Sequence, residues 1–310
     1  MSQRLTPLEI MEKLVSFPTV SRETNLPLID WVQDYLEGHG VAVKRHLHPD
    51  EPKAGLWAHA GPMEAGGVVL SGHTDVVPVD GQTWSSDPFT VTERDGRYYG
   101  RGCCDMKGFD ALAIWAMVEA QATGTRRPLQ LALTYDEEIG LLGAEPLIED
   151  LGDAFPRAAA AIIGEPTTMQ AVTGHKGGLA WTVHVHGYEI HSSLSHRGVS
   201  AIMEGARLIQ WANEVNAESA AATPNEINAL FDPPWSNLHV GMIEGGTAHN
   251  ITARDCEFVF SIRVAPGDDP AVWTQRVIDK VAEIEAGMKA IHPDARIEMT
   301  ERFSGPGLFS

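Results

Sequence analysis

The residues best able to do chemistry in this chain are a histidine and several acids that follow short apolar stretches. They are His73 and Asp75 in SGHTD, Asp105 in CCDMKG, Glu137 and Glu138 in YDEE, and Glu165 in IGEP. One imidazole with several carboxylates is a mixed nitrogen and oxygen set that suits zinc, cobalt or manganese better than magnesium alone. If the fold brings these segments together, they predict a metal centre.

His73 and Asp75 are the residue types expected of a metal ligand and of the carboxylate that orients it. An imidazole can bind a metal through one nitrogen while a nearby carboxylate holds the proton of the other nitrogen and fixes the tautomer. Taken alone, a histidine in a loop is more often a surface or hydrogen-bonded residue than a ligand. The pair by itself is therefore weak evidence.

Each remaining acid has two interpretations. Asp105 is either a helix-start carboxylate stabilised by the helix dipole or a bridge between two cations ~3.5 to 4 Å apart. Glu137 and Glu138 form either a solvent-facing acidic turn or a ligand beside a free general base. Glu165 is either a turn acid before Pro166 or a further ligand.

Alternating helices and strands must position these segments. Amphipathic patterns predict helices over 6–17 and 25–38, and an apolar helix is predicted over 111–122. Short apolar runs predict strands over 41–47, 54–60, 67–71, 129–134 and 158–163. This alternation indicates an α/β layered domain, and the acids follow strand ends, where open α/β sheets hold their ligands.

The pattern changes after Gly178. Strict alternation over 179–185 and 256–264 predicts strands of a sheet with one covered face, and helices are predicted over 200–217 and 271–290. We place this α+β unit at residues 179–290, between a first catalytic part at 1–178 and a start of the return to the catalytic domain at 291–310. His184 and His186 fall on the polar face of a strand, and we interpret both as solvated.

Composition limits the class of protein. The chain has 310 residues and a formal net charge of -19, which argues against a nucleic-acid partner because phosphate binding needs clustered Lys and Arg. Three cysteines are too few for a disulfide framework and favour a reducing cytoplasm. We find no signal peptide and no run of membrane-spanning length, so no membrane partner is expected.

Taken together, the motifs resemble the M20 metallopeptidase family, and most closely its members that deacetylate acetylornithine. The resemblance rests on SGHTDVVPVDGQTWSSDPF, DGRYYGRGCCDMKGFDA, TYDEEIG and IIGEPT, and continues through GHKGGLAWTVHVHG, HSSLSHRGVSAI and VGMIEGGTAHNITARDCEFVFSIRVAPGDDP. It spans nearly the whole chain from Pro18 to Pro270. It implies an α/β fold, in which a mixed-sheet α/β/α zinc-hydrolase catalytic domain carries an inserted α+β, ferredoxin-like lid and dimerisation domain.

The resemblance also implies a two-metal centre loaded with zinc or cobalt. His73, Asp105 and Glu165 would hold one ion, and Asp105 and Glu138 would hold the other. Cys103 and Cys104, written together in the CCDMKG motif, depart from the small or hydroxylated residues common before the bridging acid. We interpret both thiols as small packing residues.

Further roles follow from the same resemblance. Asp75 would orient the histidine ligand, and Glu137 would be the general base. His191 would reach the active site of the partner subunit in a homodimer and stabilise the oxyanion. Asn250 and Arg263 would contact substrate, and the Arg263 guanidinium is suited to a bidentate grip on a carboxylate.

The family's second metal also takes a histidine from a segment that would follow Ser310. No later residue here matches it, and His292 lies in a helix-end region that does not fit the motif. We therefore expect the remainder of the catalytic domain to be absent and the second site to be incomplete. With only two carboxylates for that ion, we expect at most about one tightly bound metal per chain.

The reaction implied by the resemblance is hydrolysis of the acetamide of N2-acetyl-L-ornithine to L-ornithine and acetate, a step of arginine biosynthesis. The alternatives are sister activities on the same scaffold, namely succinyl-diaminopimelate desuccinylase, aminoacylase or dipeptidase. A metal-binding or dimer-forming protein without catalysis is the alternative from another class.

Overall fold

The computed structural model describes residues 3–309, which divide into two compact units, 3–170 and 171–309. The elements of the first unit are α1 (Pro7–Val15), α2 (Leu26–Gly38), β1 (Ala42–Leu47), β2 (Ala54–Ala60), β3 (Val68–His73), β4 (Thr92–Arg94), β5 (Arg97–Tyr99), α3 (Lys107–Thr123), β6 (Leu129–Thr134), α4 (Ala144–Leu151) and β7 (Ala160–Ile163).

The first helix shows how local sequence sets an element. Thr6 caps α1 by accepting from the Glu9 amide, while the Glu9 carboxylate accepts from the Thr6 amide, and Pro7 supplies the helical φ of the first turn. Such a cap contributes about 0.5–2 kcal/mol. The buried face of α1, which includes Ile10 and Leu14, then packs on α3.

Five strands of the first unit form one mixed sheet in the order β1-β2-β6-β3-β7. The pairs β1 with β2 and β2 with β6 are antiparallel, whereas β3 runs parallel to both β6 and β7. Because β3, β6 and β7 are parallel, their carboxyl ends meet at one edge of the sheet.

Helices cover both faces of this sheet. On one face, α1, α2 and α3 bury Leu56, Ala58, Leu131 and Leu133. On the other face, Leu147 of α4 packs with the alternate residues of the same strands. The α/β layered fold predicted from the sequence is therefore observed, with a mixed sheet between two helical layers.

The second unit has a different architecture. Its elements are β8 (Gly174–His175), β9 (Gly177–His186), a 3-10 helix (Ser192–Arg197), α5 (Ala201–Ala221), a short 3-10 turn (Asn228–Leu230), β10 (Asn237–Gly245), β11 (Asp255–Val264), α6 (Pro270–Ile291), β12 (Arg296–Gly305) and β13 (Leu308–Phe309).

A four-stranded antiparallel sheet in the order β10-β11-β9-β12 forms the frame of the second unit. With α5 and α6 the chain runs β-α-β-β-α-β, the ferredoxin-like arrangement. Alternate residues of β9 and β11 form the core with α5 and α6, among them Val183, Val185, Phe258 and Phe260. The opposite face of the sheet carries the intervening residues, and we call it the open face.

Two sequence interpretations need correction in the second unit. Residues 291–310 were assigned to a return toward the catalytic domain, but β12 pairs with β9 and buries Ile297 in the core of the second unit. The many charged residues of β12 leave only a weak apolar alternation, so the sequence did not predict a strand there. His184 and His186 are not freely solvated, because each lies against carboxylates, and their side chains are only 33% and 19% exposed.

The division between units falls after residue 170 rather than 178, because β8 and the start of β9 already belong to the second sheet system. Among residues 3–309, the helices are too short or too polar to span a lipid bilayer.

Candidate metal centre

Four chain segments meet at the carboxyl edge of the first sheet. His73 is the last residue of β3, Glu137 and Glu138 follow the end of β6, and Glu165 follows the end of β7. Asp105 lies two residues before the start of α3, the helix that connects β3 to β6. Parallel strands thus bring together side chains that are far apart in sequence.

His73 lies at the middle of this group and is 1% exposed. Its Nε2 is 3.1 Å from Asp105 Oδ1, 3.6 Å from Glu165 Oε1 and 3.8 Å from Glu137 Oε2. Its Nδ1 lies 2.9 Å from the main-chain carbonyl oxygen of Asp75. That contact places a proton on Nδ1 and leaves Nε2 as the ligand atom.

Asp75 contacts both His73 and the acidic turn that carries Glu137 and Glu138. Its carboxylate oxygens accept from the amides of Glu137, at 3.1 Å, and Glu138, at 3.4 Å. The Ser21 hydroxyl donates to the same carboxylate at 2.7 Å, whereas His73 Nδ1 is 3.5 Å away. Burial alone would raise the pKa of Asp75, but His73, Ser21 and the Glu137 amide lower it.

Two sets of ligand atoms lie close enough to share an ion. One set is His73, Glu137 and Glu165, and the other is His73, Asp105 and Glu138, with all ligand atoms of a set within 4.8 Å of one another. The geometry therefore groups Glu137, the predicted base, with the predicted ligands. The division into ligands and base stays a prediction.

The electrostatics of these side chains fit a cation. Burial raises the pKa of Glu137 to about 7, and Glu165 and Glu138 add to the rise although His73 opposes it. Burial also raises the pKa of Glu138 and of Glu165, with a further rise from Asp105. Half-buried carboxylates that repel one another are stabilised by a divalent ion, so this donor set fits a metal.

The raised pKa of His73 also fits a site for a cation. Burial alone would lower its pKa, but the hydrogen bond and charge of Asp75, with Glu137 and Asp110, raise it to about 10. Without an ion the imidazole is therefore protonated and pairs with the carboxylates. A metal would take the place of that proton.

Two supporting residues were given no role in the sequence analysis. The Lys53 ammonium forms an ion pair with Asp136, and both side chains are nearly fully buried. Asp136 has a positive φ of 52° and accepts from the Arg22 amide at 2.9 Å. The pair therefore holds the turn that leads into Glu137 and Glu138. Only its place beside two other acids could have signalled Asp136.

A third supporting residue, Asp110, lies in the first turn of α3 and is fully buried. Burial raises its pKa to about 8, so it is largely protonated at neutral pH. A Cβ on Gly72, directly before His73, would clash with this carboxyl group. Lys107, also in α3, is buried and donates to the Phe17 carbonyl oxygen at 2.7 Å, and burial lowers its pKa to about 8. The close approach of Gly72 to Asp110 sets the spacing of β3 and α3, and the Lys107 contact joins α3 to the segment after α1.

Both cysteines before Asp105 were predicted to be packing residues, and the structure places them differently. Cys103 is half-buried and packs at the rim of the first core, whereas Cys104 is exposed. Cys104 is therefore not a packing residue, because the turn before α3 points it to solvent.

The predicted substrate and oxyanion residues lie in the second unit. His191 is exposed and caps the 3-10 helix, with Nδ1 2.9 Å from the Ser193 hydroxyl. Asn250 is close to it, because its carbonyl oxygen accepts from the Ser192 amide. Arg263 pairs with Gly178 at the start of β9, roughly 26 Å along the strand from its end. The structure thus brings Asn250 to His191 but not Arg263.

A family model and a similar protein both relate this chain to one peptidase family. The model of peptidase family M20/M25/M40 matches residues 69–300. An acetylornithine deacetylase of Myxococcus xanthus is 36% identical over 297 residues, which cover 94% of this chain and 76% of that protein.

Two solved structures show the same fold at lower identity. The M20 family metallo-carboxypeptidase Sso-CP2 of Sulfolobus solfataricus has a TM-score of 0.75 at 17% identity, covering 96% of this chain and 78% of that chain. A dinuclear metal-binding M20 peptidase of Bacillus subtilis has a TM-score of 0.62 at 14% identity, covering 98% and 75%.

Proposed function

Because this chain belongs to peptidase family M20/M25/M40, a family of metallohydrolases, we propose that it hydrolyses the acetamide of N2-acetyl-L-ornithine to L-ornithine and acetate. The observation that carries the hydrolase is the convergence of His73 with Asp105, Glu137, Glu138 and Glu165 at one sheet edge. The acetylornithine substrate is supported by the relative from Myxococcus xanthus.

The proposed ligands are His73, Asp105, Glu138 and Glu165, with zinc or cobalt as the resident ions. Ions held there would polarise the amide carbonyl and lower the pKa of the attacking water. Each ligand comes from a different strand end or from the start of α3, so the sheet fixes their spacing before any ion arrives.

Glu137 is proposed as the proton carrier. The oxygen of water adds to the acetyl carbon, the carbon–nitrogen bond breaks, and the amine leaves with a proton. Glu137 takes the proton from water and delivers it to the amine nitrogen. Burial raises the pKa of this carboxyl in the metal-free protein, as is typical of a carboxylate that serves as a general base. Asp75 fixes the Glu137 amide and so the direction of the side chain.

The second unit is proposed to act as lid and homodimer interface. His191 is exposed, so in a dimer it could serve the active site of a second copy by hydrogen-bonding the developing oxyanion. Exposed apolar side chains of the second unit, such as Met203, Met242 and Ile243, supply area for self-association. Asn250 and Arg263 are proposed to contact the amino-acid part of the substrate.

A second candidate is hydrolysis of a related amide, such as a dipeptide or another N-acyl amino acid. It is supported by the shared fold with M20 peptidases.

The three cysteines are free in the structure, which agrees with the proposed cytoplasmic location.

The test is acetate release by the full chain loaded with zinc or cobalt, compared with release from N-succinyl-diaminopimelate and from a dipeptide. Glu137→Gln should lower turnover ~10²- to 10⁴-fold with metal content unchanged. Glu149→Gln, at an exposed acid of α4, is the matched control and should retain full activity. Stoichiometric loss of metal in Glu137→Gln would mean that Glu137 is a ligand. Preference for another amide would move the substrate to the second candidate.

A further inference from the structure

A second group of metal-ligating side chains lies in the other unit, on the open face of its sheet. His184 and His186 are two residues apart on β9, so both side chains point to the same face. On β11, Asp255 pairs across from His186 and Glu257 pairs across from His184. On the other side of β9, Glu298 of β12 pairs across from His184.

One carboxylate oxygen lies close to a nitrogen of each imidazole. Asp255 Oδ1 is 3.1 Å from His184 Nε2 and 3.3 Å from His186 Nδ1. The two rings are stacked, with centroids 3.8 Å apart and planes 28° from parallel. Two nitrogens and one oxygen therefore converge on one point beside β9.

These spacings match those of ligands around a tetrahedral ion. Nitrogen and oxygen atoms each about 2.0–2.2 Å from such an ion lie about 3.3 Å from one another. The contacts of Asp255 Oδ1 with His184 and His186, at 3.1 and 3.3 Å, are close to this length. The two imidazole nitrogens lie within 4.8 Å of each other, a separation that side-chain rotation can adjust to an ion.

The outer nitrogens of both rings also have acidic neighbours. His186 Nε2 is 3.3 Å from Glu298 Oε2, and His184 Nδ1 is 3.8 Å from Glu257 Oε2. Neither contact has hydrogen-bond geometry, but both place a carboxylate beside the nitrogen that would carry the N–H of a metal-bound histidine. Each imidazole thus has an inner side toward Asp255 and an outer side toward a second acid.

The group is poorly explained by ion pairs alone. The two rings are stacked with centroids 3.8 Å apart, so positive charges on both would repel each other, and ion pairs between partly exposed charges add little stability. Arg254 and Arg296 pair with Asp255 and Glu298 from outside the group, so the point between the two imidazoles and Asp255 Oδ1 has no cationic side chain of its own among the described ion pairs. The side chains of His184 and Asp255 are 33% and 47% exposed, so an ion can reach the point between them from solvent.

We propose that His184, His186 and Asp255 form a binding site for a divalent transition ion, separate from the centre around His73. Two imidazoles and one carboxylate select zinc, copper or nickel over magnesium and calcium. The bound ion joins β9 to β11 and leaves one position for water.

Copper(II) bound to the full chain gives a direct test, because paramagnetic resonance counts the coordinated imidazoles. Each candidate ligand set of the first unit contains only His73 as a nitrogen donor among residues 3–309. We expect a two-imidazole signal in the wild type that disappears in His184→Gln/His186→Gln. The control His239→Gln, on the neighbouring strand β10, should keep it.

Zinc competition against a chromophoric chelator supplies a second measurement. The double variant should lose one zinc equivalent, and Asp255→Asn, which keeps the side-chain shape, should weaken that equivalent at least about 10-fold. Circular dichroism shows whether each variant is folded, and Asp255→Asn tests the site if the double variant is not. Absence of a two-imidazole signal in the wild type, or its persistence in the double variant, would overturn the proposal, as would unchanged affinity in Asp255→Asn.

Discussion

The buried pair of Lys53 and Asp136 allows a quantitative prediction about the acidic turn. In Lys53→Met, a side chain of similar length replaces the ammonium, and the Asp136 carboxylate keeps only the Arg22 amide as a hydrogen-bond donor. Removing one partner of a buried ion pair costs about 3–5 kcal/mol, because the remaining charge is left unpaired. We expect the free energy of unfolding of the first unit to fall by this amount.

Urea unfolding followed by hydrogen–deuterium exchange can report the two units separately. With an m-value of about 2–3 kcal/mol per M, a loss of 3–5 kcal/mol lowers the midpoint of the first unit by roughly 1–2.5 M. The midpoint of the second unit, which lacks both residues, should stay unchanged. Turnover should also fall, because Asp136 directly precedes Glu137 and Glu138.

Two variants test the electrostatic reasoning. Lys44→Met removes a half-exposed ion pair with Asp150 in the same unit and should cost no more than about 1 kcal/mol. Lys53→Met/Asp136→Asn should recover most of the lost stability, because no charge is left buried and Asn tolerates the positive φ. Equal midpoints for Lys53→Met and Lys44→Met, or no recovery in the double variant, would refute the assignment of this pair.

Three further predictions concern the metal centre and the assembly. Metal binding at pH 8 should release about one proton, because the His73 pKa of about 10 keeps the imidazole protonated below that pH. Metal affinity should therefore rise about 10-fold between pH 8 and pH 9, above the Glu137 pKa of about 7. Calorimetry in buffers of different ionisation enthalpy measures the protons released, and binding without proton release would contradict the prediction. Gly72→Ala should lower the free energy of unfolding by about 1–3 kcal/mol and weaken metal binding, because the new Cβ would clash with Asp110. Thermal unfolding and metal titration measure the two effects, and wild-type values of both would show that β3 can shift. Mixing Glu137→Ala chains with His191→Ala chains should restore partial acetate release if His191 acts in a second copy, whereas no restoration would count against action across a dimer.

The fold was predictable where the apolar pattern was clear. The predicted strand over 129–134 coincides with β6, and the predicted strand over 54–60 coincides with β2. The sequence did not predict β10 or the charged strand β12, because exposed strands with many polar residues lack a clear alternation. Their identity as strands depends on pairing with β11 and β9, which local sequence does not encode.

Within the candidate centre, the sequence identified the side chains but not their supports. His73, Asp105 and Glu165 could be selected because each follows or precedes a recognisable element. Ser21 could not, because its contact with Asp75 joins residues distant in sequence and depends on how the turn before α2 packs. The alternation of β9 correctly placed His184 on the polar face of the strand. The carboxylates around it come from β11 and β12, and only the pairing of these strands with β9 shows them.

The strand order of the first sheet has a consequence for how the chain folds during synthesis. β6 lies between β2 and β3, and these two strands do not pair with each other. Until residue 134 leaves the ribosome, the hairpin of β1 and β2 has no further neighbour, and an isolated two-stranded hairpin is at best marginally stable. Emergence of β6 joins the two halves of the sheet at once, at the cost of closing a long loop. Glu137 and Glu138 emerge directly behind β6, so these acidic side chains reach the sheet edge together with the strand that joins β2 to β3.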